Sequence, residues 1–144
     1  INSTILSRCI NFKITLSNKN ISNINKHLFS GNISDLINED LINYYLTPGK
    51  IYNLIEFSKN KNIDLKNTNL SDFLSIVING SYYKGDDIIK NIIYEYLEFF
   101  LIKNISIKYT DLFKYFLKRI NDVRKYNLDE ESLFIEFNKK LLNG

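Results

Sequence analysis

The chain has 144 residues, 44% of them apolar and 24% charged, with a net charge of +3; that length suits one domain or two small ones with enough apolar surface for a packed core. Its lysines are spread evenly rather than clustered in a nucleic-acid-binding run, and no apolar run approaches the roughly 20 residues that span a bilayer. Cys9 is the single cysteine, which excludes an internal disulfide and points to a reducing cytoplasm, and one Cys with one His (His27) cannot supply a four-ligand metal site.

Ile10, Phe12, Ile14 and Leu16 alternate with polar neighbours, the period of one short strand. From there the spacing turns helical. Ile21, Ile24 and Leu28 share a face of a first helix over 21–29, with Gly31 placed as its left-handed stop. A second helix is predicted over 33–46, with Leu36, Ile37, Leu41, Ile42 and Tyr45 apolar. The third has the clearest start: Thr47 can cap it, and Pro48 takes the first helical position, where a missing N–H costs nothing. It runs to about residue 60. The stretch 60–69 is polar and asparagine-rich, the expected boundary between two parts of the chain.

Beyond that boundary, helices are predicted over 70–78, 86–103 and 110–126, with a last one from 129. The 86–103 segment carries an apolar stripe so wide, from Ile88 to Phe100, that most of it must be covered. Thr110 can cap the next helix, which is expected to turn Leu112, Phe113, Phe116, Leu117, Ile120 and Val123 inward. Asp129 can cap the last, where Leu128 and Leu133 have the spacing of a hydrophobic staple. The carboxylate pairs Asp86-Asp87 and Glu130-Glu131 sit at helix starts, where they stabilise the dipole. The predicted class is all-α: a small three-helix bundle, then a second helical bundle, with a short strand and turn at the amino terminus.

Three strings carry more than packing. Thr4-Ile5-Leu6-Ser7-Arg8-Cys9, followed by the apolar stretch 10–14, resembles the Ser-Arg-Cys motif that closes the nucleotide-binding domain of clamp-loader AAA+ subunits. Leu46-Thr47-Pro48-Gly49-Lys50-Ile51 resembles the Gly-Ser-Pro-Gly-Arg-Ala segment in the lid of that family's delta-prime branch, with Leu-Thr in place of Gly-Ser and Lys50 in place of Arg. Asn127-Leu128-Asp129 resembles the opening of the same branch's final helix. The three strings stand in the family's order.

The resemblance implies a division of the chain into 1–17, the end of an AAA+ nucleotide-binding domain, 18–62, the lid helices, and 70–144, the helical collar. The chain starts at Ile1, inside the first motif, so the rest of the nucleotide-binding domain is expected upstream. The function implied is that of a non-hydrolysing stator in the pentameric clamp loader of bacterial DNA polymerase III, without activity of its own. Its partners would be the gamma/tau and delta subunits through the collar, with the sliding clamp and primed DNA reached indirectly and no membrane involved. Arg8 would be an arginine finger supplied in trans, with Ser7 and Cys9 shaping its turn. An arginine suits that role because its planar fork matches phosphoryl oxygens two at a time. The ATP and Mg²⁺ would belong to the neighbouring subunit; this chain would hold no cofactor and no metal. Lys50 falls at the position called sensor 2, where the family's arginine can contact nucleotide; a lysine there is a point charge and not a fork. Two alternatives stay open: a gamma/tau ATPase fragment, and a helical protein–protein interaction domain of another AAA+ protein. The strand over 10–16, cut from its parent sheet, is expected to fray or to pair with a neighbouring molecule.

Overall fold

A computed structural model describes residues 17–29, 31–43, 46–104 and 110–142. The expected strand over 10–16 and the Ser7-Arg8-Cys9 turn lie outside these residues. Among the described residues the chain is all-α, with six α-helices and three short 3₁₀ turns.

Helix α1, Asn18–Phe29, starts earlier than its apolar spacing suggests because Ser17 caps it. Asn20 N donates to Ser17 Oγ at 3.3 Å, and Ile21 N to Ser17 O at 3.0 Å. Its inward side is not the predicted one. Leu28 is 55% exposed and Ile24 36%, whereas Asn25 is 5% exposed. Phe29 packs against the core, and Asn25 lies one turn before it on the same stripe. Seating the larger aromatic carries the asparagine inward. Gly31 is not a left-handed stop either, since no described glycine has a positive φ.

Over 31–43, the described part of the segment where a helix is expected over 33–46, the chain instead makes two 3₁₀ turns, Ile33–Asp35 and Glu39–Leu41. Asn38 divides them. Its side chain accepts from Asp40 N at 2.9 Å, and its own N–H leaves the segment to reach Leu65 O at 2.8 Å. Short polar side chains compete with the helix for backbone groups in this way. The buried Tyr96 hydroxyl then donates to the Leu41 carbonyl at 2.9 Å. Ile37 and Leu41 are fully buried all the same, but Leu36 and Ile42 of the same pattern are exposed, so the helical spacing marked only part of the core and misread the backbone.

Helix α2, Pro48–Lys61, has the predicted start, with Thr47 Oγ1 accepting from Lys50 N at 3.4 Å. It stops at Asn62, whose φ of 54° is left-handed, and Ile63 N returns to Ser58 O at 2.8 Å. Asparagine here does what glycine usually does at a helix end. The polar stretch that follows is ordered by Asp64, whose carboxylate accepts from Lys66 N, Asn67 N and Asn67 Nδ2 at 3.0, 3.2 and 2.6 Å. Leu65, in the middle of that stretch, is buried, and Leu54 before it and Phe73 after it belong to the same core.

Helix α3, Leu70–Asn79, is capped by Asn69 and leads through the Tyr82–Lys84 turn to α4, Asp87–Lys103. Asp86, expected as the first residue of this helix, is its cap, accepting from Ile88 N at 2.7 Å and Ile89 N at 3.2 Å. The wide stripe makes α4 the central helix: it buries eight residues and packs against α2, α3 and α5, Thr110–Tyr126. Helix α5 ends on a second left-handed asparagine, Asn127, with Leu128 N bonded to Val123 O at 3.2 Å. Asp129 then caps α6, Glu130–Phe137, which continues as a π turn over Asn138–Leu142. Leu133 is fully buried, but Leu128 stays 51% exposed, so the expected staple is only half engaged. Phe137 joins the last three helices by meeting Phe100 and Phe116 edge-on, with ring centroids 5.7 and 5.1 Å apart.

Candidate functional site

Lys50 is the site residue predicted from sequence that falls among the described residues. Pro48 and the Thr47 cap fix the first turn of α2, which aims Lys50 across at the middle of α4. There Lys50 Nζ pairs with Glu95 Oε1 at 2.5 Å, with side-chain exposures of 29% and 20%. Partial burial strengthens such a pair relative to an exposed one. Glu95 Oε2 is buried with no hydrogen-bond partner, so Lys50 is the counter-charge that this carboxylate meets. Sequence reading missed Glu95. Its signal was a carboxylate set between two tyrosines, Tyr94 and Tyr96.

Arg8, Ser7 and Cys9 lie outside the described residues. The other two arginines are structural. Arg119 donates to Ser132 Oγ at 2.9 Å and lies 3.4 Å from Glu136, tying α5 to α6. Arg124 donates to Glu98 at 3.2 Å and covers the Tyr94 ring, tying α5 to α4. His27 is exposed on α1. No cluster of three or more His, Cys, Asp or Glu that could hold a metal occurs among the described residues.

The acidic pairs at the helix starts are engaged in the same way. Glu131 meets Lys84 at 2.9 Å, and Glu130 meets Lys90 at 3.3 Å. The Tyr94 hydroxyl donates to Glu130 at 3.2 Å. Burial, and then the Glu130 charge, push the Tyr94 phenol well above its ordinary value, so it stays protonated and serves as a donor. These charges fix helices against one another.

No family model, curated protein or solved structure matches the chain.

Two clefts open on the described surface. One, of about 470 Å³, lies between α1, the 3₁₀ segment and the start of α2, and is lined by Ile21, Asn25, Ile33, Ile42 and Ile51 among others. The second, of about 460 Å³, lies between α2 and the Tyr82–Lys84 turn. Tyr82 in its wall is held by packing: Phe57 meets its ring edge-on at 5.5 Å, and Lys61 stands over it at 5.0 Å. Its neighbour Tyr83 is buried. No helix of the described residues is long and apolar enough to cross a membrane.

Proposed function

We propose that this chain is part of a clamp-loader subunit of the delta-prime type, a stator that helps assemble the pentameric loader of DNA polymerase III. The observation that carries the reading is the ordered trio of strings: Thr4 to Cys9, Leu46 to Ile51, and Asn127 to Asp129. Two of the three coincide with capped helix starts, at Thr47 and Asp129. The all-α class of the described residues supports the reading; the lid would be residues 18–62 and the collar 70–144.

In that assembly Arg8 completes a neighbouring subunit's ATP site, with Ser7 and Cys9 setting its turn, and the protein works in the cytoplasm without ATPase activity of its own. The collar helices bind gamma/tau and delta subunits, and the sliding clamp and primed DNA are engaged through the complex. Lys50 is the sensor-2-like residue of the reading. Its pairing with Glu95 means that any contact with nucleotide would compete with that carboxylate.

The test is reconstitution of the full-length protein with gamma/tau and delta subunits from the same source. A complex that forms on size-exclusion chromatography, and whose clamp- and DNA-stimulated ATP hydrolysis falls about tenfold or more at the affected site with Arg8→Ala, supports the reading. Failure to enter the complex removes the assembly role. Assembly with unaltered hydrolysis removes the arginine finger alone.

A further inference from the structure

The pair Asn79-Gly80 closes α3, and asparagine followed by glycine is the sequence most prone to succinimide formation, because glycine has no side chain to hinder the attack. The fold holds both residues. Asn79 Oδ1 accepts from Nδ2 of the buried Asn138 at 2.8 Å, which ties the end of α3 to the π turn. Gly80 admits no side chain without a shift: a Cβ there would lie 2.7 Å from two ring carbons of Tyr82 and 3.1 Å from the Ile76 carbonyl oxygen. The Tyr82 ring is itself seated edge-on to Phe57. The packing therefore calls for a pair whose own chemistry threatens it.

In the folded chain that chemistry is blocked at two points. The nucleophile is the Gly80 backbone nitrogen, and its N–H donates to Ile76 O at 2.9 Å. Closing the five-membered ring also requires the peptide after Asn79 to rotate far from its helical setting, since Cβ, Cγ and the Gly80 nitrogen must come nearly into one plane. Asn138 acts the other way, because a donor at Oδ1 stabilises the oxyanion that forms on attack. That help does not win. The nitrogen has to leave Ile76 O and turn before it counts, and the same turn pulls Oδ1 away from Asn138. Asn79 is exposed, so water and hydroxide reach it; the geometry is missing and not the reagent.

We propose that Asn79 is a deamidation site masked by the fold, unmasked when the last turn of α3 unwinds. On opening, the Gly80 nitrogen gives its proton to hydroxide and bonds to Asn79 Cγ. The bond from Cγ to the side-chain nitrogen breaks, and ammonia leaves with a proton taken from water. Water then splits the succinimide at either carbonyl, giving aspartate or, with the chain rerouted through Cβ, isoaspartate. Neither product restores the present end of α3. Isoaspartate adds a methylene to the backbone, and aspartate sets a negative charge at the negative end of the helix dipole. The site lies in α3 and the π turn alone and does not depend on the clamp-loader reading.

The protein is incubated at mildly alkaline pH in native buffer and in guanidinium chloride, beside a synthetic peptide of residues 67–84. Peptide mapping by mass spectrometry follows the amide-to-acid change and separates Asn79-Gly80 from the other such pair, Asn143-Gly144. Asn79 is expected to convert equally fast in the peptide and the denatured protein, and at least about tenfold more slowly in the native one, because the reaction then waits on a local opening. Asn138→Ala, which unties the end of α3, should raise the native rate severalfold with the helical circular-dichroism signal retained. Native conversion as fast as in the peptide would overturn the mask. No conversion in the peptide would overturn the site. An unchanged native rate in a folded Asn138→Ala would overturn the role of Asn138. The native–denatured comparison uses the unsubstituted chain, so it decides the matter even if Asn138→Ala fails to fold.

Discussion

Glu95 gives one carboxylate oxygen to Lys50 and keeps the other buried without a partner, so the two residues are expected to depend on each other. Lys50→Met leaves that carboxylate short of its counter-charge. Since both side chains retain some exposure, the cost should be about 1–2 kcal/mol, below that of a fully buried pair. Glu95→Leu with Lys50→Met should recover most of it. A double-mutant cycle by urea denaturation measures the coupling, and a coupling near zero would show that the pair is incidental. Tyr96 poses the same question without charge. Its hydroxyl is buried on the Leu41 carbonyl, and Tyr96→Phe removes the donor but not the ring. A loss of about 1–2 kcal/mol is expected in the same assay, with the Glu39–Leu41 turn more open to hydrogen exchange. Neither pairing was legible in the sequence, because each joins residues 45 or more positions apart and no local pattern encodes such a meeting.

The helices themselves were legible where the start signal is chemical. Thr47 and Asp129 cap where sequence places them, since an N-cap needs only a short acceptor and a free first turn, whereas Thr110, expected as a cap, is the first residue of its helix. The stops were less readable. The left-handed positions among the described residues are Asn62, Ser81 and Asn127, with no glycine among them; in an asparagine-rich, glycine-poor chain a glycine rule looks in the wrong place. Asn127→Ala should therefore cost about 1 kcal/mol or more, because alanine adopts the left-handed region poorly, whereas Asn127→Gly should be near neutral. Thermal melts of the two variants check this, and equal losses would mean that the Asn127 side chain matters more than its backbone. The seam between α5 and α6 adds a pH dependence. The Lys140 ammonium, opposed by partial burial and helped by the Tyr115 hydroxyl and Arg119, holds the Glu136 carboxyl below its ordinary value of 4.5. A carboxyl depressed in the folded state contributes stability that is present above its ordinary value and lost as pH falls through the folded one. Stability should thus decline more steeply below about pH 4.5 in the unsubstituted protein than in Glu136→Gln; parallel declines in denaturant midpoint would contradict it.

Across the whole molecule, α4 is the organising element, because a helix apolar on most of its circumference can be satisfied only by neighbours on several sides. Phe137 closes the far end against Phe100 and Phe116. Phe137→Ala should cost about 3–5 kcal/mol and loosen α5 and α6 together, a loss that calorimetry would register as one weakened transition. The sequence by itself determined the all-α class of the described residues, the capped starts and most of the core from Ile37 to Phe137, because burial period and cap chemistry are written in neighbouring residues. Only the tertiary structure decided that Asn25 and not Ile24 or Leu28 turns inward, that 33–41 breaks into two turns around Asn38, and that Lys50 meets Glu95. Each of those outcomes is set by a partner far away in the chain: the seat available to Phe29, the Leu65 carbonyl, and the face of α4 opposite the start of α2.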